Sequence, residues 1–267
     1  MVSSINRASS SAESYKLENV KSNHQEDLST SAARETAYSS GQADEYDSFR
    51  FVKKSGKAIH VAERGCLTRA LEKVRPPAHI LEVGCGTGRL LIEMEQLGYT
   101  VDGADASGAM LEKTKEKFVD SSRQPELMLC GASEIPASDN TYDFTYSIRL
   151  LNQTESPEYA LTVVTEILRV TKPNGYCLIE FMNENRPRLG MNKRACTRLR
   201  PVDVLKTATQ SGAEIVHWDG AFLLSMQAYH AVPEFLLGVV KTADRLCSAL
   251  LPRLCSRTYL MVRKKAA

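Results

Sequence analysis

Residues 79–90 read HILEVGCGTGRL, and this stretch decides the fold of the chain. Its first part, His79 to Val83, is the short apolar run typical of a strand buried in a parallel sheet. Glycines then alternate with other residues at Gly84, Gly86 and Gly88, and a helical pattern follows. Because glycine has no Cβ and tolerates a positive φ, such a turn lets a ligand approach the backbone closely. The stretch therefore predicts a strand, a ligand-binding loop and a helix.

The alternation of strand and helix continues along the chain. Further strands are predicted at 100–104, 126–130, 142–147, 176–182, 214–218 and 258–263. Helices are predicted at 109–118, 159–170 and 201–211. This order predicts an α/β fold with a doubly wound, mostly parallel sheet and helices on both faces.

The ends of the chain differ in composition. Residues 1–44 are rich in Ser and Glu and almost lack large apolar side chains, which predicts a disordered tail. Aromatic residues and helical spacing begin near Glu45, so we expect one globular domain over 45–264.

Net charge, hydropathy and cysteine spacing indicate which partners, locations and sites to expect. The formal net charge of the 267 residues is +2, and the basic residues are dispersed, so we expect no nucleic-acid partner. No apolar run is long enough to predict a transmembrane segment, and no signal peptide is evident, so a cytoplasmic location is expected. The seven cysteines form no CxxC pair, which argues against a zinc site and a disulfide framework.

A carboxylate follows the second predicted strand. Asp105 stands 21 residues after Gly84, where an acid binds the ribose hydroxyls of nucleotide cofactors. NAD enzymes use the same device, but their glycine pattern is GxGxxG, which needs a small residue where this chain has Arg89. The spacing favours a ribose-bearing cofactor other than NAD.

Three blocks of sequence together resemble the class I S-adenosylmethionine-dependent methyltransferases. They are ILEVGCGTGRL at 80–90, GADASGAML at 103–111 and EILRVTKPNG at 166–175. The resemblance implies a Rossmann-like, seven-stranded sheet with an antiparallel last strand, S-adenosyl-L-methionine as cofactor and methyl transfer as the activity.

The resemblance also implies roles for individual residues. The methionine part of the cofactor would lie against Glu82, Gly84, Cys85, Gly86 and Gly88. Asp105 would bind the ribose, and Ala106 and Met110 would flank the adenine. Related enzymes often place an Asp against the adenine amino group where this chain has Gly131, so Ala132, Ser133 or a backbone group would serve instead. Ser147 and Ile148 would stand beside the methyl group.

Catalytic groups are harder to predict, because the sulfonium is already a good leaving group and alignment with exclusion of water is the main requirement. For a hydroxyl acceptor, His217 and His230 are candidate bases. Arg149 is a candidate contact for an acidic group of the acceptor or cofactor. The spacing of Glu134, Asp139 and Asp143 matches no ligand pattern, so no metal is expected.

An insertion before the last strand, residues 222–255, distinguishes this chain. It contains a predicted helix with one apolar stripe, formed by Phe235, Val239, Ala243, Leu246 and Leu250. We expect the insertion to be a lid over the acceptor, although the stripe could instead pack the helix onto the sheet. A peripheral membrane role is less favoured, because Lys241, Asp244 and Arg245 do not make a strongly basic face.

The predicted function is methyl transfer from S-adenosyl-L-methionine to a small, apolar or aromatic metabolite, with oxygen as the preferred acceptor atom. Two alternatives stay open. The chain could be a non-catalytic S-adenosylmethionine- or partner-binding protein of the same fold, or a protein methyltransferase.

Overall fold

The computed structural model describes residues 54–186, 196–224 and 232–266. Seven strands form one sheet: β1 His79–Val83, β2 Thr100–Asp105, β3 Leu127–Leu129, β4 Tyr142–Ser147, β5 Thr171–Met182, β6 Ala213–Ala221 and β7 Arg257–Lys264. The α-helices are α1 Lys54–Leu71, α2 Arg89–Gln96, α3 Gly108–Lys117, α4 Pro157–Val170, α5 Pro201–Gln210 and α6 Leu237–Leu250. Short 3-10 turns lie at Leu151–Gln153, Glu234–Leu236 and Pro252–Leu254.

The strand order is β3-β2-β1-β4-β5-β7-β6. The first five strands pair in parallel, and β7 pairs antiparallel with both β5 and β6. The expected doubly wound, seven-stranded sheet with an antiparallel last strand is therefore confirmed. The chain reverses its direction of winding between β1 and β4, which is where ligands bind in open α/β sheets.

Both faces of the sheet are covered by apolar packing. On one face, residues of α4 and α5 such as Val163, Ile167 and Val204 are fully buried against the strands. The second face of the sheet is covered by α1 and α2, through buried side chains such as Leu67 and Leu91. These two layers hold the strand ends between β1 and β4 in fixed positions.

Capping residues set where two of the helices begin. The Ser107 hydroxyl accepts a hydrogen bond from the backbone N–H of Met110 at the start of α3. The Ser156 hydroxyl accepts one from Tyr159 N–H at the start of α4, where Pro157 takes the first helical position. Both caps satisfy donors that the first turn of a helix leaves unpaired.

The helix predicted in the insertion is α6, but its apolar stripe faces outward. Phe235, Val239, Leu246 and Leu250 are exposed, whereas Asp244 on the opposite side is buried. The interpretation that the stripe packs the helix onto the sheet is therefore wrong, because polar side chains make the inward contacts. No helix in the described ranges is both long and apolar enough to span a bilayer.

Candidate functional site

A cavity opens at the carboxyl ends of β1, β2 and β4. The predicted residues that line it are Glu82, Gly84, Cys85, Gly86, Asp105, Ala106, Met110, Ala132, Ile148 and Arg149. Three predicted residues, Gly88, Ser133 and Ser147, do not line it. The topology thus brings most of the residues chosen from the sequence to one place.

The glycine loop has two distinct parts. Gly86 has a φ of +56°, and a Cβ added to it would meet no atom within 4 Å, so its backbone faces open space in the cavity. Gly88 has a φ of +69°, and its Cβ would lie 2.6 Å from Cγ2 of Thr114 in α3. Gly86 therefore leaves room for a ligand, whereas Gly88 lets the loop pack against α3.

Asp105 ties the glycine loop to the end of β2. Its Oδ2 accepts a hydrogen bond of 2.8 Å from the backbone N–H of Gly86, and its Oδ1 accepts one of 2.9 Å from Ser107 N–H. Burial raises the pKa of this carboxyl, and the backbone N–H donors oppose that rise. A carboxylate oxygen has more than one lone pair, so Asp105 can hold the loop and still accept from a ligand hydroxyl.

Glu82 is a buried carboxyl at the end of β1. Tyr146 on the neighbouring strand β4 donates its hydroxyl to Glu82 Oε2 over 2.9 Å. Burial raises the pKa of Glu82 to about 8, although the Tyr146 hydrogen bond and Arg89 act in the other direction. A cationic ligand group beside Glu82 would favour its charged form.

The Cys85 thiol is not set up as a nucleophile. Burial, followed by the nearby carboxylates of Asp105 and Glu82, raises its pKa well above the ordinary value. Its Sγ also lies 2.9 Å from where a Cβ on Gly103 would be, so the thiol packs closely against β2. The Cys85 thiol is therefore neutral and serves as a small packing residue in the tight glycine turn.

At another part of the cavity, Tyr159 supplies a hydroxyl that the sequence did not suggest. Tyr159 lines the cavity from the first turn of α4, and Ser133 donates its hydroxyl to Tyr159 Oη over 3.3 Å. A Cβ on Gly131 would lie 3.6 Å from the same oxygen. The tyrosine hydroxyl therefore stands close to the position where related enzymes often carry an Asp.

Arg149 marks the end of β4 and has an unusual backbone conformation. Its φ is +67°, and its backbone N–H donates to Oε2 of the buried Glu180 over 2.7 Å. Its side chain approaches the fully buried Glu63 of α1, with Nε 3.8 Å from Oε1. Arg89 donates to the same carboxylate over 2.7 Å. A buried acid thus holds two arginines that both line the cavity.

Glu63 titrates abnormally in this network. Burial raises the pKa of its carboxyl, while the guanidinium groups of Arg89 and Arg149 lower it. Pairing with two cations is what makes a buried carboxylate tolerable in a low-dielectric interior.

The remaining candidates lie elsewhere. Ser147 is fully buried, and its hydroxyl has no hydrogen-bond partner among the described residues. His217 stands on β6 with Nε2 3.2 Å from Asp219 and lines a separate groove between α1 and α6. His230 lies outside the described residues.

Two of the acidic residues considered for a metal are engaged by cations of the chain. Asp139 accepts from Arg169 over 2.6 Å, and Asp143 accepts from Lys172 over 2.7 Å. Within 54–186, 196–224 and 232–266, no group of three or more His, Cys, Asp or Glu residues could hold a metal ion.

Several cavity residues were missed by sequence reasoning. Besides Tyr159 they include Ser107, Cys130, Leu150, Gln153 and Thr154. Leu150 directly precedes the 3-10 turn after β4 and Gln153 ends it, and no motif marks that turn. The one available signal was position, because segments that follow the carboxyl ends of strands β1, β2 and β4 meet at this edge of the sheet.

Comparison with known proteins finds similarity to methyltransferases. Residues 80–175 match the family described as "Methyltransferase domain". The demethylmenaquinone methyltransferase of Bacillus licheniformis is 39% identical over 112 residues, which are 40% of this chain and 46% of that enzyme. The sterol 4-C-methyltransferase strm-1 of Caenorhabditis elegans is 28% identical over 144 residues, 51% of this chain and 42% of that protein.

A solved structure shares the fold over most of the chain. It is the magnesium protoporphyrin IX methyltransferase of Synechocystis PCC 6803 with bound SAH, with a TM-score of 0.63 and 16% identity. The superposition covers 88% of this chain and 99% of that one. By contrast, the chain spans less than half the length of the two curated relatives. Residues 80–175 of this chain therefore match the methyltransferase domain family, and the chain shares the fold of a solved methyltransferase.

Proposed function

We propose that this protein binds S-adenosyl-L-methionine in the cavity and transfers its methyl group to a small, apolar or aromatic acceptor. The proposal rests mainly on the hydrogen bond between Asp105 and Gly86, which places a half-buried carboxylate beside an open glycine backbone. This arrangement suits a ligand that combines ribose hydroxyls with a polar chain. Both features meet at the point where the sheet reverses its winding.

The lining residues fit the chemical parts of the cofactor. Gly86 provides space that a Cβ would fill, and Glu82 offers a carboxyl for an α-ammonium group. Asp105 would accept from the ribose hydroxyls, with Ala106 and Met110 against the adenine. Tyr159, whose hydroxyl accepts a hydrogen bond from Ser133, would take the place of the missing Asp at the amino group. When bound, the cofactor's sulfonium supplies an electrophilic methyl group.

The chain's own contribution to the reaction is alignment and exclusion of water. Ile148 and Leu150 present apolar side chains to the cavity, while Arg149 is held at the end of β4 by Glu180 and Glu63. A dry, fixed environment lowers the entropic part of the barrier to an in-line transfer. Arg149 would bind a polar or acidic group of the acceptor and fix its orientation.

The acceptor class is supported by the apolar lining and by the names of related proteins. Those names refer to demethylmenaquinone, a sterol and magnesium protoporphyrin IX, which are all small molecules with large apolar parts. We favour oxygen as the acceptor atom, while the name of the sterol enzyme specifies carbon. His217 lines a separate groove, so His230 is the remaining candidate base from the sequence.

The test is a transfer assay with methyl-tritiated S-adenosylmethionine. The protein is incubated with quinols, phenols, sterols and porphyrins, the mixture is extracted into organic solvent, and labelled products are analysed by mass spectrometry. Wild-type protein should label at least one apolar acceptor, and Asp105→Ala should label it much less at the same, subsaturating cofactor concentration. Cofactor binding without transfer to any acceptor would favour the non-catalytic alternative, and label in a protein substrate would favour a protein methyltransferase.

A further inference from the structure

The outer face of the insertion forms an apolar surface that no described part of the protein covers. Phe235 is 81% exposed, Leu250 79%, Val239 67% and Leu246 62%. These side chains recur along one side of α6 and its preceding turn, and Leu254 continues the row beyond the helix. We call this row of five residues the outer stripe. Contiguous exposed apolar surface of this kind marks an interaction site.

The orientation of the stripe is fixed by polar contacts on the other side of the helix. Asp244 is only 4% exposed, and its Oδ1 accepts a hydrogen bond of 2.7 Å from the backbone N–H of Leu224. The Ser248 hydroxyl accepts from Leu223 N–H over 3.3 Å. Rotating α6 to bury the stripe would break both bonds, including the one that satisfies the buried carboxylate of Asp244, which is costly. The helix therefore presents its apolar side outward by construction.

Two exposed arginines neighbour residues of the stripe in sequence, since Arg245 precedes Leu246 and Arg253 precedes Leu254. Residues 232–256 contain three cations, Lys241, Arg245 and Arg253, and two acids, Glu234 and Asp244. Of these acids, Asp244 is turned inward and buried. Arg245 and Arg253 are exposed, and Arg253 also stacks over the Trp218 ring at 5.4 Å. Arg245 and Arg253 therefore place exposed positive charge next to Leu246 and Leu254 in the sequence.

We propose that the outer stripe docks onto an anionic phospholipid surface. An amphipathic helix binds such a surface by inserting its apolar face among the acyl chains, with basic groups at headgroup level. Each exposed Lys or Arg adds attraction to anionic lipid. Docking of a second copy through the same face would bring like-charged arginines together, so the charge pattern favours lipid over self-association.

The outer stripe lies near the edge of the sheet at which the cavity opens. Strand β6 is antiparallel to β7, as β5 is, so β6 ends at the same edge of the sheet as the cavity. The backbone contacts that orient α6, at Leu223 and Leu224, directly follow that end. A docked bilayer would therefore lie on the side where an apolar acceptor must enter. This consequence rests on the proposed function, whereas docking itself does not.

Vesicle flotation tests the proposal without cofactor or acceptor. Full-length protein is mixed with vesicles of phosphatidylcholine alone, or of equal parts phosphatidylcholine and phosphatidylglycerol. Wild-type protein should float with the mixed vesicles and much less with phosphatidylcholine alone. The double variant Leu246→Glu/Leu250→Glu should bind the mixed vesicles at least about tenfold more weakly, because it places two charges where apolar contact is required. Arg245→Glu should also weaken binding.

The matched control carries the same substitutions at exposed apolar residues elsewhere. Leu97→Glu/Val119→Glu changes side chains that follow α2 and α3, and it should float like the wild type. Thermal unfolding checks that both double variants are folded. Equal flotation of the two double variants, or no binding of wild type to mixed vesicles, would overturn the proposal.

Self-association is the alternative use of the stripe. It would be indicated by a dimer in size-exclusion chromatography that Leu246→Glu/Leu250→Glu dissociates and the control variant does not, together with no vesicle binding. Failure of the methyl-transfer proposal would leave the flotation result unchanged.

Discussion

The carboxylate of Asp105 accepts a hydrogen bond of 2.8 Å from the backbone N–H of Gly86, which joins the end of β2 to the loop after β1. This bond couples the position of the loop to that of the predicted ribose-binding acid, because moving either one would break the hydrogen bond. The loop geometry and the cofactor affinity should therefore change together.

Asp105→Ala should weaken binding of S-adenosylmethionine by about 1 to 3 kcal/mol, because charge-assisted hydrogen bonds are lost. That range corresponds to a rise in Kd of about 5- to 150-fold. Calorimetric titration measures the change. Asp143→Ala is the control, since Asp143 also accepts from a backbone N–H, that of His79, but at the start of β4. Unchanged affinity in Asp105→Ala would refute the ribose assignment.

The two glycines of the loop should separate binding from stability. Gly88→Ala should lower the free energy of unfolding by about 2 to 4 kcal/mol, because a positive φ and overpacking against Thr114 both act on the folded state. Gly86→Ala meets no neighbouring atom, so its cost should be limited to about 1 to 2 kcal/mol of backbone strain. Urea unfolding measures both variants.

Cofactor affinity should show the complementary pattern. Gly86→Ala projects a methyl group into the cavity and should weaken cofactor binding by at least about tenfold, or about 1.4 kcal/mol. If Gly86→Ala binds the cofactor like wild type, the space above Gly86 is not the cofactor site.

Glu82 should make stability depend on pH. Burial holds its pKa at about 8 in the folded protein, against an ordinary value of 4.5. Between these values the folded state binds more protons than the unfolded state, so the free energy of unfolding falls as pH rises. The slope from this group is at most about 1.4 kcal/mol per pH unit. Glu82→Gln should remove that part of the slope.

Urea unfolding at several pH values between 5 and 8 (about the range set by the two pKa values) provides the measurement. The exposed Glu72→Gln serves as the control, and it should keep the wild-type slope. An unchanged slope in Glu82→Gln would mean that Glu82 is ionised in the folded protein throughout this range.

The Tyr159 hydroxyl should contribute to adenine recognition. Tyr159→Phe removes the partner of Ser133 and one polar group of the cavity wall, so cofactor affinity should fall by about 0.5 to 1.5 kcal/mol. Tyr176→Phe changes a tyrosine that stacks with Arg263 away from the cavity and should leave the affinity unchanged. Equal affinities for the two variants would exclude Tyr159 from the site.

Much of the fold followed from the sequence because its apolar runs and glycines have few structural solutions. The strands His79–Val83 and Tyr142–Ser147 match their predicted bounds. Strand β5 begins at Thr171 rather than at residue 176, because Thr171 pairs with Tyr142 across an irregular register. Pro173 and Asn174 are typical of turns, so the sequence pattern predicts no strand over residues 171–175.

Site residues could be predicted where the backbone conformation restricts the residue type. They could not be predicted where tertiary packing determines which side chains reach the cavity. Gly86 and Asp105 were identifiable because few residues can take their places. Tyr159 was not, since it comes from a helix whose distance from the loop depends on tertiary packing. Helical periodicity likewise revealed the stripe of α6 but not its direction. That direction depends on Asp244 and Ser248 finding partners in the backbone of residues 223–224.

Methyl transfer requires that the cavity beside Gly86 and Asp105 binds S-adenosylmethionine. Calorimetric titration of the purified protein with S-adenosylmethionine, its demethylated product and NAD tests it most directly. We expect one-to-one binding of the first two with a Kd on the order of micromolar, about −8 kcal/mol, and no heat from NAD. Binding of NAD alone, or of none of the three, would contradict the account.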